Sequence, residues 1–367
     1  MYSFALRFHM RVVRRDLGYE MNNTFSLRQL GWQPFFQQQL NLTELELCNI
    51  ARVTAHHRTH YNLQTEQQQV QLPISVNTPE LTVGDWVLLD QAQNFIRNLE
   101  RKSLFKRKAP GQKVSEQLIA ANVDTLFIVC SLNQDFNLNR IERFLALAYE
   151  AMVEPVVVLT KKDLCDQAET KKQQVQDLDR MLAVEVVNGL DKTCANQLMP
   201  WCSEGKTLSL IGSSGVGKST LANLLLGKQE QGTAAIRESD SKGRHTTRVR
   251  QMHFLPTGSA LIDMPGMREL QLTECEDGVQ HTFADIDELT HKCKFSDCSH
   301  VKEPGCAIKQ AITDGRLAQR RFDSYKKLQQ EQARNSATLK QKRDKEKAFS
   351  QFCKVTMADS IANKRGY

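Results

Sequence analysis

Two unbroken runs of β-branched and aliphatic residues, 125–130 (Thr125-Leu126-Phe127-Ile128-Val129-Cys130) and 156–159 (Val156-Val157-Val158-Leu159), flank a segment, 138–152, whose apolar positions recur at helical spacing. Strands that are apolar on both faces belong to parallel sheets covered by helices, so this pattern predicts a βαβ unit. Runs at 184–187, 207–211 and 259–263 extend it into one α/β sheet. The preceding segment reads differently. Short alternating runs, Ile50-Ala51-Arg52-Val53 and Val70-Gln71-Leu72-Pro73-Ile74, lead through Val83-Gly84-Asp85 into Trp86-Val87-Leu88-Leu89. They predict a small antiparallel barrel of the oligonucleotide-binding (OB) type. Ahead of it, a polar, glutamine-rich stretch surrounds Leu30, Trp32, Phe35 and Phe36, a cluster predicted to dock on a neighbouring domain. Past Leu270 the pattern becomes helical, and residues 317–352 read as a charged helix whose apolar stripe is too narrow for a large core.

Length and composition agree with several soluble domains: 367 residues, 40% hydrophobic and 25% charged, with no apolar run long enough to span a bilayer. Near the start, Arg7, Arg11, Arg14 and Arg15 interrupt any apolar core that a secretory signal would need. The expectation is a cytoplasmic protein without membrane contact, and nothing in the sequence demands more than a monomer. The net charge of +7 is unevenly spread. Residues 318–367 hold 13 basic against 5 acidic residues, a balance of +8, so the rest of the chain sums to −1. A second basic patch runs through Arg97, Arg101, Lys102, Lys106, Arg107, Lys108 and Lys113. Concentrated positive charge attracts a polyanion by counterion release, although a solvated surface has the same composition.

The densest chemistry lies at Gly212-Ser213-Ser214-Gly215-Val216-Gly217-Lys218-Ser219-Thr220, between the apolar run 207–211 and a helical pattern. Strand, glycine turn and helix form the context in which backbone N–H groups converge on phosphate, Lys218 reaches the outer phosphates and the Ser219 hydroxyl can ligate magnesium. Upstream, Thr160-Lys161-Lys162-Asp163 ends the strand at 156–159. A carboxylate there can accept from N1–H and the 2-amino group of guanine, whereas adenine offers neither donor, so Asp163 is predicted to select guanine. Because the base-reading motif precedes the phosphate loop, the order is that of a permuted nucleotide domain. Asp263, ending a further strand, suits a magnesium ion held through water, and Gly266 offers an N–H that senses the γ-phosphate. Between them, Lys242-Gly243-Arg244-His245-Thr246-Thr247-Arg248 has the texture of a switch loop. Thr247, in preference to Thr246, is the expected magnesium ligand, and His245 is either a surface residue or the group that positions the attacking water.

Cys293-x4-Cys298-x-His300-x5-Cys306 gathers three thiols and an imidazole, a closed tetrahedral set suited to one structural zinc ion. His291 lies nearby but is surplus to four ligands. The other cysteines are scattered singly, which favours a reducing compartment over a disulfide framework.

At these residues the chain resembles the RsgA/YjeQ family of circularly permuted GTPases that assist maturation of the small ribosomal subunit in bacteria. The resemblance rests on Gly212 to Thr220, Gly243 to Thr247, Asp263, Pro265 and Gly266, Asn122-Val123-Asp124, and the Cys-x4-Cys-x-His-x5-Cys spacing. It implies an N-terminal OB barrel, a permuted P-loop GTPase core and a C-terminal helical zinc domain. The expected division is an extension at 1–45, the barrel at 46–112, the GTPase domain at 113–272, the zinc-binding domain at 273–350 and a basic tail at 351–367. It also implies binding to the 30S subunit and rRNA, stimulation by the subunit, and hydrolysis that drives release. Two positions depart from the pattern: Thr160 stands where many GTPases carry asparagine, which predicts modest nucleotide affinity, and Met264 replaces a threonine. Met267 occupies the place of the water-orienting glutamine of Ras-like enzymes, so intrinsic hydrolysis is expected to be slow. The competing expectations are a passive RNA-binding assembly module and an adenine-nucleotide enzyme.

Overall fold

The computed structural model describes residues 24–76, 78–108, 116–191, 193–227, 250–263 and 275–336. Thirteen strands are described: β1 (Asn49–His56), β2 (His60–Gln64), β3 (Gln69–Pro73), β4 (Trp86–Leu89), β5 (Phe95–Asn98), β6 (Leu104–Lys108), β7 (Glu116–Ala121), β8 (Thr125–Ser131), β9 (Glu154–Thr160), β10 (Ala183–Val186), β11 (Thr207–Ile211), β12 (Arg250–Phe254) and β13 (Ala260–Asp263). The helices are α1 (Pro34–Gln37), α2 (Leu42–Leu47), α3 (Leu138–Glu150), α4 (Ala168–Gln176), α5 (Cys194–Leu198), α6 (Lys218–Leu225), α7 (Glu276–Thr282), α8 (Ala284–Thr290), α9 (Ala307–Thr313) and α10 (Gln319–Ser336).

The α/β core has strand order β10-β9-β8-β11-β13-β12, parallel except for the antiparallel β12. Every residue of β8 and all but the first of β9 are buried, as their unbroken apolar sequences require. Parallel pairing sends the C-terminal ends of β9, β11 and β13 to one edge of the sheet, where the ligands of open α/β sheets collect. Thr160, the glycine loop and Asp263 therefore share that edge although they are 103 residues apart in sequence between Thr160 and Asp263.

Strands β1 to β5 form the antiparallel unit read from the alternating segment. β1 pairs with β2 and β4, β2 with β3, and β4 with β5. Among the described residues β3 and β5 share no ladder, and the order β3-β2-β1-β4-β5 is a β1–β3 meander extended by β4 and β5 on the other edge of β1. The meander is not a separate body on a linker. β1 pairs with β12 at Ala55↔Gln251 and His56↔Arg250, which makes one continuous sheet of the two halves. The β6–β7 hairpin spans the boundary expected at residue 112.

Arg52 fastens this junction. It is fully buried, lies over the Trp86 ring at 5.2 Å, and donates to the Leu30 carbonyl, to the Asn122 carbonyl at 3.1 Å and to Thr207 Oγ1 at 2.8 Å. Burial pushes its guanidinium down to about 10, opposed by Asp124 and Asp85, so it remains charged at neutral pH. A buried cation is tolerable because oxygens from three segments, two carbonyls and a hydroxyl, solvate it. A side chain at Gly31 would collide with this guanidinium, and Gly31 has φ +91°. The N-terminal apolar cluster docks as expected, with Leu30 and Phe36 packed on Trp86, Leu88 and Leu99.

Much of the basic patch expected from 97 onward is paired. Arg97 meets Glu44 at 2.7 Å, Arg101 the buried Asp85 at 2.7 Å, Lys102 Asp124 at 3.1 Å and Lys106 Glu116 at 2.9 Å. Glu44 and Asp85 come from elements well before Arg97 and Arg101 in the chain, which a reading of local charge cannot see. The C-terminal helix is also less free than its sequence implies: α10 buries Phe322, Tyr325 and Leu328 against Phe283 and its neighbours.

Candidate functional site: a permuted nucleotide cleft and a thiol cluster

The glycine loop leaves β11 at Gly212, whose φ of +154° and close approach to the Val129 carbonyl oxygen leave no room for a Cβ. Gly215 and Gly217 have φ of +75° and +102°, and Gly217 is the N-cap of α6. These left-handed residues turn the backbone back on itself, and the loop ends at a helix N-terminus that favours negative charge. Ser213 and Ser214 complete the loop, and Ser219 and Thr220 occupy the first turn of α6. Lys218 Nζ lies over the loop, donating to the carbonyls of Gly212 at 3.0 Å and Ser213 at 2.6 Å. An anion in the same concavity would compete for that ammonium.

The Thr160-Lys161-Lys162-Asp163 motif sits beside the loop. Thr160 Oγ1 donates to the Val216 carbonyl at 2.5 Å and is buried, so the end of β9 is tied to the middle of the glycine loop. Thr160 thus anchors the loop with a hydroxyl. Lys161 adopts φ +60°, which turns the chain into a short 3₁₀ turn, Lys162–Leu164, and sets Asp163 on the exposed side. A third wall escaped the sequence reading. After β10 the chain passes Val187, whose carbonyl accepts from Lys162 N–H at 3.4 Å, and reaches Gly189, whose position for a Cβ lies 3.5 Å from the Thr220 methyl. Asn188 Oδ1 accepts the Leu190 N–H at 3.0 Å and shapes that turn. Residues 188–190 therefore bridge the base motif and the phosphate loop. Their only signal in the sequence is an Asn-Gly pair after a strand.

Asp263 ends β13, exposed at the same edge. His245, Thr246, Thr247, Met264, Pro265, Gly266 and Met267 lie outside the described residues, as do the first 23 residues and the tail at 351–367.

At the other end of the chain the structure brings Cys293, Cys298, His300 and Cys306 together, with their ligand atoms all within 4.8 Å of one another. His300 Nδ1 stands 3.6 Å from Cys293 Sγ and 3.5 Å from Cys306 Sγ. Zinc bonds of about 2.0–2.3 Å to nitrogen and sulfur give tetrahedral edges of about 3.5–3.8 Å, which the two His300 contacts match, and three thiols with an imidazole are the chemistry of a structural zinc site. Burial lowers the His300 imidazole below its ordinary value, Lys326 adds to the effect and Glu303 opposes it, which favours the neutral ring that binds a metal. Burial raises the Cys293 thiol, but hydrogen bonds from the N–H groups of Ala307 and Ile308 and from the Cys298 and Cys306 side chains together outweigh it and bring the thiol below its ordinary value. His291 stays outside the cluster, 3.7 Å from Asp287.

This region is joined to the α/β core by buried ion pairs. Glu142 of α3, fully buried, accepts from Arg320 at 2.9 Å and Arg321 at 3.0 Å, while Arg321 also grips Asp285 at 2.7 Å and the Thr282 carbonyl at 2.9 Å.

The RsgA GTPase family matches residues 98–273, which hold Thr160-Lys161-Lys162-Asp163, the glycine loop and Asp263. The chain is 57% identical over 341 residues to the small ribosomal subunit biogenesis GTPase RsgA 2 of Vibrio parahaemolyticus, covering 93% of this chain and 95% of that protein. It is 45% identical over 317 residues to RsgA of Mesorhizobium japonicum, covering 85% and 91%. In fold it is similar to YjeQ from Thermotoga maritima, with a TM-score of 0.58 at 24% identity over 77% of this chain and 97% of that one. It is also similar to YloQ, described as a circularly permuted GTPase, with a TM-score of 0.56 at 22% identity over 79% and 97%. The glycine loop, the base motif that precedes it in sequence and adjoins it in space, and these similarities agree: the chain belongs to the RsgA GTPase family and is a GTP-hydrolysing enzyme with a circularly permuted fold.

Proposed function

We propose that this enzyme acts in late maturation of the small ribosomal subunit, binding the 30S particle and its rRNA in the GTP state and leaving after hydrolysis. The observation that carries the nucleotide part is the 2.5 Å bond between Thr160 and Val216, which joins base recognition to phosphate binding. Asp163 reads guanine, with Lys161 and Lys162 alongside it. Residues 212–220 cradle the phosphates, and Lys218 moves from the loop carbonyls to the outer phosphates. Ser219 and Asp263, with Thr247 from the switch stretch, would hold Mg2+, and Gly266 senses the γ-phosphate. The ion, when bound, neutralises charge that develops on the phosphoryl oxygens. His245 positions the water that attacks the γ-phosphorus, and the β–γ bridging oxygen departs with GDP. Cys293, Cys298, His300 and Cys306 hold one structural zinc ion.

The names of the Vibrio and Mesorhizobium relatives support the ribosomal reading. Under it, the β1–β5 unit serves as an OB-type surface for rRNA, assisted by the basic tail at 351–367, and the protein works as a cytoplasmic monomer. No described helix is long and apolar enough to cross a membrane. The test is GTP turnover with and without purified 30S and 50S subunits, paired with sedimentation in GDP and in a non-hydrolysable GTP analogue. Stimulation and triphosphate-dependent binding specific to 30S are expected. Equal turnover in all three conditions would leave a GTPase with another partner.

A further inference from the structure

We infer that Glu303 is a positioning residue for the metal-binding cluster: its carboxylate folds the chain around His300 so that the imidazole faces the three thiols. The inference rests on the zinc reading of that cluster. Oε1 accepts from the Ser299 N–H at 3.1 Å and from the Ser299 hydroxyl, and Oε2 accepts from the N–H groups of Val301 and Lys302, both at 3.0 Å. Three backbone N–H groups from both sides of His300 thus converge on one carboxylate. That convergence requires a sharp reversal of the chain, and His300 takes it up with φ +59°, a left-handed conformation that non-glycine residues seldom adopt and that histidine, with asparagine and aspartate, adopts more readily than most. In this conformation Nδ1 comes within 3.6 Å of Cys293 and Cys306, while the ring meets Phe322 of α10 edge-on at 6.0 Å between centroids.

Cys306 is buried at the N-terminus of α9, and Cys293 follows the end of α8, so both are placed by helices. His300 stands in a turn without regular structure, and its neighbours' N–H groups find their acceptor in Glu303. Without the carboxylate those donors turn to water, the left-handed conformation loses its support, and the imidazole is free to leave the thiols. The role is orientation of a ligand through the backbone, without contact to the ion itself.

The experiment titrates Co2+ into the metal-stripped full-length protein, with a competing chelator to fix affinity and absorption spectra to report coordination. The unaltered protein is expected to take up one Co2+ with thiolate charge-transfer and tetrahedral ligand-field bands. Glu303→Ala should bind about 10–100-fold more weakly, with ligand-field bands displaced toward those of His300→Ala. Glu303→Gln, which retains one carbonyl acceptor, should fall between the two. GDP binding by each variant, unchanged, shows that the nucleotide domain is intact. Affinities within about twofold of the unaltered protein, with the same spectra in both Glu303 variants, would overturn the inference while leaving the zinc reading in place. No Co2+ binding by the unaltered protein would remove the zinc reading itself and this inference with it.

Discussion

Replacing Thr160 by valine removes one hydroxyl and keeps the shape of the side chain. The hydroxyl is buried and donates at 2.5 Å to the Val216 carbonyl, at the midpoint of the phosphate loop. Loss of a buried partner that leaves an acceptor without its donor costs about 1–3 kcal/mol. The bond closes the loop onto β9, so the cost falls on the loop conformation that binds nucleotide. If that conformation becomes less populated, the apparent dissociation constant rises by the same factor. With 1.4 kcal/mol per tenfold, GDP affinity should fall by about 5- to 150-fold. Titration of a fluorescent GDP analogue reads this directly, and thermal unfolding without nucleotide reads whatever part is lost as stability instead. Thr160→Asn, which offers a longer donor, should recover part of the affinity. Unchanged affinity and unchanged unfolding in Thr160→Val would show that the hydroxyl does not hold the loop, and the reasoning would fail.

Arg321→Met should destabilise the protein by about 3 kcal/mol, the low end for breaking a buried ion pair, because Arg320 still reaches Glu142; denaturant unfolding measures it, and a change below about 1 kcal/mol would deny Arg321 its joining role. Gly212→Ala should abolish GDP binding, since its Cβ would meet the Val129 carbonyl; retained binding would show that the loop can shift. His56 lies below its ordinary value because of burial, with Arg250 and His57 adding to the effect. The unfolded chain therefore takes up the proton first, so stability should be full above about pH 6.5 and decline as pH falls from there through the lowered folded value. A pH series of melting temperatures should show that slope flattened in His56→Gln, and an identical slope would exclude His56 as its source.

The turn of the glycine loop and the gathering of the thiol cluster are legible in the sequence because each is encoded locally. Glycines at 212, 215 and 217 dictate a turn from their own conformational freedom, and residues 293–306 hold all four ligands within one short segment. The buried strands were equally legible, since β8 and β9 carry no polar face. What sequence could not supply was register between distant segments. The pairing of Ala55 with Gln251, which fuses the meander to the GTPase sheet, follows from tertiary contacts that no local pattern encodes. Arg52 reads as an ordinary strand residue until carbonyls from Leu30 and Asn122 are brought around it. Likewise the carboxylates that neutralise Arg97 and Arg101 lie 53 and 16 residues away. Thr160 looked like a deficit because its acceptor, Val216, is 56 residues downstream.

The account stands on Asp163 and the loop at 212–220 serving one guanine nucleotide. Competition binding of GDP, ADP and XDP to the unaltered protein and to Asp163→Asn tests it most directly. GDP should bind the unaltered protein at least about 100-fold more tightly than ADP, and the substitution should transfer that preference from GDP to XDP, whose 2-oxo group needs a donor. ADP binding as tight as GDP, or a GDP preference that survives Asp163→Asn, would contradict it.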